Sequence, residues 1–286
     1  DATIENNEIT EADDDGGIVF AGGNKGNTIS GNTISDNDVS GIVFAGAGSD
    51  DNVIEGNTIS GNDPNGIEVT GSGTTALVIQ GNDITENDDD GILIEEWADS
   101  NVIVFNNLVD NDDDAIDNDT SPAVAVDAIL NWWGTDDSDD IDTEFEGDVT
   151  NDDFEPFLTD TVDAIFTGYN AAAADDELDA EDEAGVVITL DKDADRIKAG
   201  AYAANPEGED PPDPAVAYYD VYVAGGTAAE ADIKLYVSGI NEDMAAFMWS
   251  LATDKWVDSS DTYEVSVSEY GGYVIVEGVD VDDLGG

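Results

Sequence analysis

The sequence predicts an all-β chain, in which a parallel β-helix of about 25 residues per turn precedes an antiparallel β-sandwich. Three observations predict this fold. Apolar and asparagine residues recur with a fixed period in the N-terminal half, which is the signature of a solenoid. Separate alternating apolar runs fill the C-terminal third. No segment has the 3.6-residue periodicity of an amphipathic helix.

The repeats are visible as columns of like residues. The asparagine column is spaced by 25, 25, 25 and 24 positions, and comprises Asn7, Asn32, Asn57, Asn82 and Asn106. An isoleucine precedes each asparagine by three residues, as in Ile4 and Ile29, and Ile or Leu follows two residues behind. A further column, usually after a Gly, comprises Ile18, Ile42, Ile67, Ile92 and Ile116. Alternation places one face of each short run inward. We therefore predict three short strands per turn, rising about 4.8 Å, with the asparagines bonding successive turns.

With these columns, residues 1 to about 118 resemble the right-handed parallel β-helix repeat proteins of the pectate-lyase-like superfamily. Asn131-Trp-Trp-Gly134 resembles the closing motif that many members carry on their last turn. Glu155-Pro-Phe-Leu158 is similar to the short exit that follows it, with Phe where Trp is usual. The resemblance implies a right-handed coil. It leaves the activity open, because this scaffold hosts many functions.

Three segments are expected: a β-helix over residues 1–158, an acidic connector over 159–185 and a β-sandwich over 186–286. The connector is inferred from its polar composition. About seven alternating runs lie between Gly185 and Val276, with turn residues between them, which is typical of an antiparallel sandwich. The segment Met248-Trp-Ser-Leu-Ala-Thr-Asp-Lys-Trp256, followed by the run at Tyr263, is similar to small β-sandwich modules that often follow β-helices on archaeal surface proteins.

The charge is extreme, with 70 acidic and 6 basic residues and a net charge of −64. Nucleic acid is excluded as a partner, because phosphate binding needs a basic face. No apolar run approaches 18 residues, so the sequence predicts no membrane insertion. In molar salt the Debye length falls to about 3 Å and the self-repulsion is screened. We therefore expect a protein of a halophile, of a haloarchaeal surface type; a charge specialised for a cationic partner is the alternative.

The residue inventory argues against catalysis. The chain has no Cys and no His, so disulfides, zinc sites and Ser-His-Asp triads are excluded. Lyases of this fold need a basic residue, and Lys25 is the only one within residues 1–160. Arg196-Ile-Lys198 is similar to a segment of the related hydrolases but lies in the expected sandwich. We expect no enzyme, no catalytic residue and no organic cofactor.

One corner of each turn is acidic and predicts a cation site. Stacked carboxylates repel each other unless cations lie between them, and calcium accepts six to eight oxygen ligands in flexible geometry. Calcium or another cation is therefore expected, with a solvated halophilic corner as the alternative. The candidate ligands are Asp13, Asp15, Asp38, Asp63, Asp88, Asp90, Asp112 and Asp114.

The chain opens in repeat register, so the first turn is expected to present an open strand edge. Unpaired N–H and C=O groups at an edge favour pairing with another chain. The expected assembly edge comprises Asp1, Ala2, Thr3, Ile4 and Ile9. The sandwich or the last turn of one subunit would cover this edge of the next subunit, which gives a head-to-tail filament or sheath.

These expectations describe a non-enzymatic structural protein, extracellular or on the cell surface, whose partners are other copies of itself or other surface proteins. The sequon Asn118-Asp-Thr120 favours glycosylation of Asn118 and an outside location. The alternative is a carbohydrate-binding or adhesive module of a larger surface protein, with glycans as partners and Trp97, Trp249 or Trp256 as contacts. A polysaccharide hydrolase that uses an Asp pair is the third hypothesis.

Overall fold

The computed structural model describes residues 2–14, 16–95, 101–119, 126, 128–147, 157–206, 215–237, 245–250, 255–268 and 272–284. The chain divides into two compact units, Asp1–Val162 and Asp163–Gly286. The first unit is a parallel β-helix and the second is built from antiparallel strands. The predicted fold class is therefore confirmed, including a turn of about 25 residues.

Five successive turns of the first unit each contribute three strands of three residues. The first and second turns contain β1 (Thr3–Glu5), β2 (Glu8–Thr10), β3 (Ile18–Phe20), β4 (Thr28–Ser30), β5 (Thr33–Ser35) and β6 (Ile42–Phe44). The third to fifth turns contain β7 (Val53–Glu55), β8 (Thr58–Ser60), β9 (Ile67–Val69), β10 (Val78–Gln80), β11 (Asp83–Thr85), β12 (Ile92–Ile94), β13 (Val102–Val104), β14 (Asn107–Val109) and β15 (Ile116–Asn118).

Corresponding strands of successive turns pair in parallel and form three sheets. Sheet A has the order β1-β4-β7-β10-β13, and sheet B runs from β2 to β14 through β5, β8 and β11. Sheet C runs from β3 to β15 through β6, β9 and β12, and ends on β16 (Phe145–Gly147). The register places isoleucine on isoleucine, as in the pairs Ile4–Ile29 and Ile29–Ile54. Because these side chains point inward, they form one continuous core along the helix.

The asparagine column is a buried hydrogen-bonded ladder. Asn32, Asn57, Asn82 and Asn106 are each no more than 1 % exposed. Each ladder asparagine donates its main-chain N–H to the Oδ1 atom of the next, for example Asn32 to Asn57 at 2.9 Å. Its Nδ2 atom donates back to a main-chain carbonyl of the preceding turn, as from Asn57 to Ile29 at 2.9 Å. The ladder therefore joins the turns by side-chain bonds in addition to the sheet bonds.

The three connections within a turn differ in length. The connection from sheet A to sheet B is always two residues: 6–7, 31–32, 56–57, 81–82 and 105–106. Its first residue is in the left-handed region in every turn, with Gly in the second to fourth turns and Asn6 and Phe105 at φ 54° and 56° in the first and fifth. The connection from sheet C to the next strand of sheet A is longer and varies in length. It comprises residues 21–27 after the first turn and residues 45–52 after the second.

The C-terminal end of the helix is covered by later parts of the chain. The ladder continues to Asn131, which accepts from the N–H of Asn106 at 2.8 Å. The next position of this column is Phe157, because the N–H of Leu158 donates to the carbonyl of Asn131 at 2.9 Å. Phe157 packs against the helix core. The short helix α1 (Ser138–Ile141) precedes β16 in the same region. The ladder therefore ends on an aromatic residue.

The second unit follows helix α2 (Val162–Ile165) and has one six-stranded sheet and one hairpin. The sheet contains β17 (Phe166–Ala180), β18 (Val186–Tyr202), β19 (Tyr219–Ala224), β20 (Glu230–Tyr236), β23 (Glu264–Ser268) and β24 (Tyr273–Asp280). The hairpin consists of β21 (Phe247–Ser250) and β22 (Lys255–Asp258).

The long β17–β18 ribbon takes part in both layers of this unit. Its register shifts between Asp175 and Glu177. One part of β18 pairs with β20 and the other with β19. The strands that pair with these two parts are joined by a hydrogen bond from the Tyr219 hydroxyl in β19 to the carbonyl of Tyr236 in β20 at 2.7 Å. The buried side chains of both parts form a second core.

The structure corrects two boundaries. The expected acidic connector 159–185 contains α2 and β17, and from Asp163 on it is part of the second unit. The two runs expected at 185–190 and 196–202 form one continuous strand, β18. Antiparallel pairing of the Ala- and Asp-rich segment with β18 stabilises it as a strand, although its composition is typical of a linker.

Candidate functional site

The predicted acidic corner consists of two separate columns. The first is exposed and lies at the corner between sheets B and C, where each Asp follows an asparagine in the second to fifth turns and Ala12 in the first. In it, the N–H of Asp63 donates to the carbonyl of Asn37 at 2.9 Å, and the N–H of Asp88 donates to that of Asn62 at 2.9 Å. All its members are exposed: Asp13, Asp38, Asp63, Asp88 and Asp112. These carboxylates project into solvent, one per turn.

The second column lies two residues later and is buried. It comprises Ser40, Asn65, Asp90 and Asp114, each no more than 8 % exposed. Asp90 donates its N–H to the Oδ1 atom of Asn65 at 3.1 Å, and its own Oδ1 atom accepts from the N–H of Asp114 at 3.3 Å. Carboxylates thus take the position in the later turns that neutral side chains occupy in the earlier ones.

Burial and neighbouring charge act together on Asp90. Desolvation, with a smaller contribution from the charges of Asp89, Asp117 and Asp114, raises the pKa of its carboxyl to about 7. The hydrogen bond from the Asp114 N–H opposes this effect. At the next position of the column, burial also raises the pKa of Glu144, whose carbonyl accepts from the N–H of Ala115.

Three carboxylates converge at this corner: those of Asp89, Asp90 and Asp113 each place an oxygen within 4.8 Å of the others. A divalent cation at this place would lower the cost of keeping Asp90 ionised, and calcium accepts such oxygen ligands. Of the sequence-predicted ligands, Asp90 belongs to this cluster and Asp114 donates to it. Asp89 and Asp113 were missed, although the runs 88–90 and 112–114 contain them. Asp13, Asp38 and Asp63 lie on other turns, and Asp15 is outside the described residues.

The expected assembly edge lies on the first turn. Ala2 and Thr3 are exposed and Ile4 and Ile9 are half-buried. From the second turn on, the later members of the Ile4 and Ile9 columns are at most 1 % exposed. Strands β1, β2 and β3 each pair with one other strand of the described structure. Asp1 lies outside the described residues.

The expected glycosylation of Asn118 is not supported by its position. Asn118 ends strand β15 and is only 3 % exposed. Its amide points to the inside of the helix with Ile116, and a glycan has no room there. Thr120 lies outside the described residues.

The glycan-contact hypothesis rests on three tryptophans, of which the structure places one. Trp256 is half-buried, with its ring 6.0 Å from that of Tyr218. Trp97 and the side chain of Trp249 lie outside the described residues.

The segment Arg196-Ile-Lys198 lies in strand β18, as expected. Lys198 is 1 % exposed, with its Nζ atom 4.9 Å from the centre of the Tyr222 ring. The segment is therefore part of the packed second unit and is distant in sequence from the acidic corner.

One comparison with known proteins supports the fold of the first unit. A family model described as a right-handed β-helix region matches residues 1–128. No curated protein and no solved structure matches the chain. Among the described residues, no helix is long and apolar enough to cross a membrane.

Proposed function

Over residues 1–128 the chain is a right-handed parallel β-helix repeat protein, and from that premise we propose that it is a non-enzymatic structural protein. It works outside the cell, in brine, and its copies associate through the first turn of the helix. The extreme negative charge supports the proposal that the protein works at high salt, since molar salt screens the repulsion between copies.

The observation that carries this proposal is the edge formed by β1, β2 and β3. These strands pair on one side only within the described structure. The Asn7 amide is exposed, although the later members of its ladder are buried. N–H and C=O groups along such an edge form hydrogen bonds with any strand that adds to it.

The polarity of the ladder favours a head-to-tail contact. Each ladder asparagine directs its N–H toward the C-terminal end and its Oδ1 atom toward the N-terminal end, as the bond from Asn7 to Asn32 at 2.9 Å illustrates. Two first turns that face each other would therefore place the Oδ1 atoms of their ladders in opposition, with only the Nδ2 atoms as side-chain donors. The opposite end of the column is occupied by Phe157. This favours the second unit over the last turn as the partner surface.

The chemistry of the helix supports a non-catalytic role. The acid–base steps of a polysaccharide lyase need a basic group that loses its proton readily. Lys25, the one basic residue of the helix, forms an ion pair with Asp50, which raises the pKa of its amine. That change makes the Lys25 amine a poorer proton acceptor at neutral pH.

The proposal includes calcium at the cluster of Asp89, Asp90 and Asp113. Its support is the convergence of three carboxylates on a partly desolvated corner. Thermal unfolding in brine with and without a chelator tests it. We expect a lower midpoint with chelator for the natural chain and a smaller effect for Asp90→Asn. An unchanged midpoint in the natural chain would show that calcium is not bound.

The assembly is tested by electron microscopy and sedimentation in molar KCl over a range of protein concentrations. We expect regular end-to-end chains whose length increases with concentration. The matched control is the same protein in dilute salt, where repulsion between copies shortens the chains. Monomers alone in molar salt at all concentrations would refute the proposed assembly.

A further inference from the structure

The corner between sheets B and C contains the one Asn–Gly pair of the sequence, Asn65-Gly66. Asparagine before glycine is especially prone to spontaneous deamidation, because glycine has no side chain to hinder attack by its own main-chain nitrogen. Asparagine is also among the residues that limit the lifetime of proteins at high temperature. The pair is therefore a chemically labile point in the third turn of the helix.

The fold requires the glycine of this pair. A Cβ atom at Gly66 would lie 2.6 Å from the carbonyl oxygen of Gly91, closer than real side chains come. The residue before the glycine can vary, since it is Ser40 one turn earlier and Asp90 one turn later. The lability of this corner therefore depends on the presence of Asn65 and cannot be removed through the glycine.

The folded corner holds both reacting groups in hydrogen bonds. The Gly66 N–H donates to the carbonyl of Asp90 at 3.0 Å, and the Asn65 Oδ1 atom accepts from the N–H of Asp90 at 3.1 Å. Asn65 is only 2 % exposed, so the water and base that the reaction needs have little access to it. Deamidation of Asn65 therefore requires that the third turn separate from the fourth at this corner.

The reaction changes both the charge and the main chain. When the corner opens, the Gly66 nitrogen loses its proton to a base in the solvent and attacks the Cγ atom of Asn65. A C–N bond forms, the Cγ–Nδ2 bond breaks, and Nδ2 takes up a proton and leaves as ammonia. Water then opens the succinimide ring and gives an aspartyl or an isoaspartyl residue. The isoaspartyl product has one more carbon atom in the main chain, so β9 can no longer pair in register with both of its neighbours.

The charge around this corner couples its opening to salt. Asp63 and Asp88 lie exposed at the same corner on the third and fourth turns, and the whole chain has a net charge of −64. Molar salt screens the repulsion between these carboxylates, and dilute salt does not. Dilution therefore favours the separation of the two turns that exposes Asn65.

We propose that Asn65 is a deamidation site that is protected in brine and becomes reactive when the salt is diluted, and that its isoaspartyl product prevents the corner from forming again. Exposure to low salt then leaves a permanent covalent change in the helix. The site lies within one copy, so it acts whether or not copies associate.

Peptide mapping by mass spectrometry tests the protection. The conversion of Asn65 in the natural chain is followed at mildly alkaline pH in molar KCl, in dilute salt and in urea. We expect conversion in molar KCl to be at least about tenfold slower than in urea, with an intermediate rate in dilute salt. Equal rates in molar KCl and in urea would show that the fold does not protect Asn65. Equal rates in molar and dilute salt would overturn the coupling to salt.

Two variants test whether opening of this turn controls the reaction. Ser72→Asn creates a second Asn–Gly pair with Gly73, in the exposed connection that follows the same turn; it is the matched control and should convert in molar KCl nearly as fast as in urea. Ile59→Ala removes a fully buried side chain of the third turn and should raise the rate at Asn65 in molar KCl by at least about tenfold. An unchanged rate in Ile59→Ala would contradict the proposed control by this turn.

Two further variants separate the added charge from the added main-chain atom. Asn65→Ser has the residue of the preceding turn and cannot deamidate, so it should regain its full circular dichroism on return to molar KCl after long dilution. Freshly prepared Asn65→Asp adds the charge without lengthening the main chain and should also refold in molar KCl. The natural chain should lose reversibility in proportion to its isoaspartyl content. Full recovery of chains that contain isoaspartate would overturn the proposed block.

Discussion

The asparagine ladder makes a quantitative prediction at Asn82. This side chain is fully buried. Its Oδ1 atom accepts from the N–H of Asn57 at 3.0 Å, and its Nδ2 atom donates to the carbonyl of Ile54 at 2.9 Å. Asn82→Ala removes these two bonds together with the other bonds of the side chain. The N–H of Asn57 and the carbonyl of Ile54 then lose this partner inside the helix.

Each buried polar group that loses its partner costs about 1–3 kcal/mol. The substitution should therefore lower the free energy of unfolding by about 2–6 kcal/mol. Urea unfolding in molar KCl, followed by far-UV circular dichroism, is the assay. A loss of about 4 kcal/mol would lower the urea midpoint by roughly 1–2 M.

Asn7→Ala is the matched control, because Asn7 belongs to the same column but is exposed at its end. Its main-chain N–H still donates to Asn32 after the substitution. We expect the loss to stay within about 1 kcal/mol, since water replaces the exposed partner. Equal losses for Asn7→Ala and Asn82→Ala would refute the view that the ladder stabilises the helix by satisfying buried groups.

The remaining predictions concern the acidic corner, the backbone contacts and the core. The pKa of Asp90 is raised to about 7 in the folded chain, so its contribution to stability is present at low pH and is lost as pH rises toward 7. Asp90→Asn should therefore make the free energy of unfolding less dependent on pH and should stabilise the protein above pH 7, as measured by urea unfolding without calcium. A Cβ atom at Gly46 would lie 2.3 Å from the main-chain nitrogen of Gly22, so Gly46→Ala should cost about 1–3 kcal/mol, whereas Gly22→Ala meets nothing within 4 Å and should lower the thermal midpoint little. Ile59→Ala should cost about 2–5 kcal/mol because Ile59 is fully buried, and Ile9→Ala on the half-buried first turn should cost clearly less in the same urea experiment.

The periodic part of the fold was readable from the sequence because each column has one structural role. Ile29 and Asn32 meet the same neighbours in every turn, so one repeat predicts the next. The continuous strand β18 was harder to predict. Its middle residues 191–193 are charged or polar and exposed, and their pairing is decided by the tertiary fold rather than by an apolar pattern.

The candidate site could be predicted only in part. A run such as Asp88-Asp-Asp90 shows that a corner is acidic, but the direction of each carboxylate depends on the local backbone. Asp88 follows the asparagine at this corner and faces solvent, while Asp90 precedes a glycine and turns inward. Two residues of separation therefore distinguish a solvated charge from a buried one with a raised pKa.

The unequal connections of a turn determine where residues can be inserted or deleted without disturbing the fold. The two-residue connection between sheets A and B is tied to the ladder and cannot vary without breaking it. The spacing of 24 residues between Asn82 and Asn106 arises in the connection from sheet C to sheet A, which is 95–101 there and 70–77 one turn earlier. Insertions and deletions in the history of such a protein should therefore collect in this connection. The same place is where a foreign peptide could be grafted at regular intervals along a rigid axis.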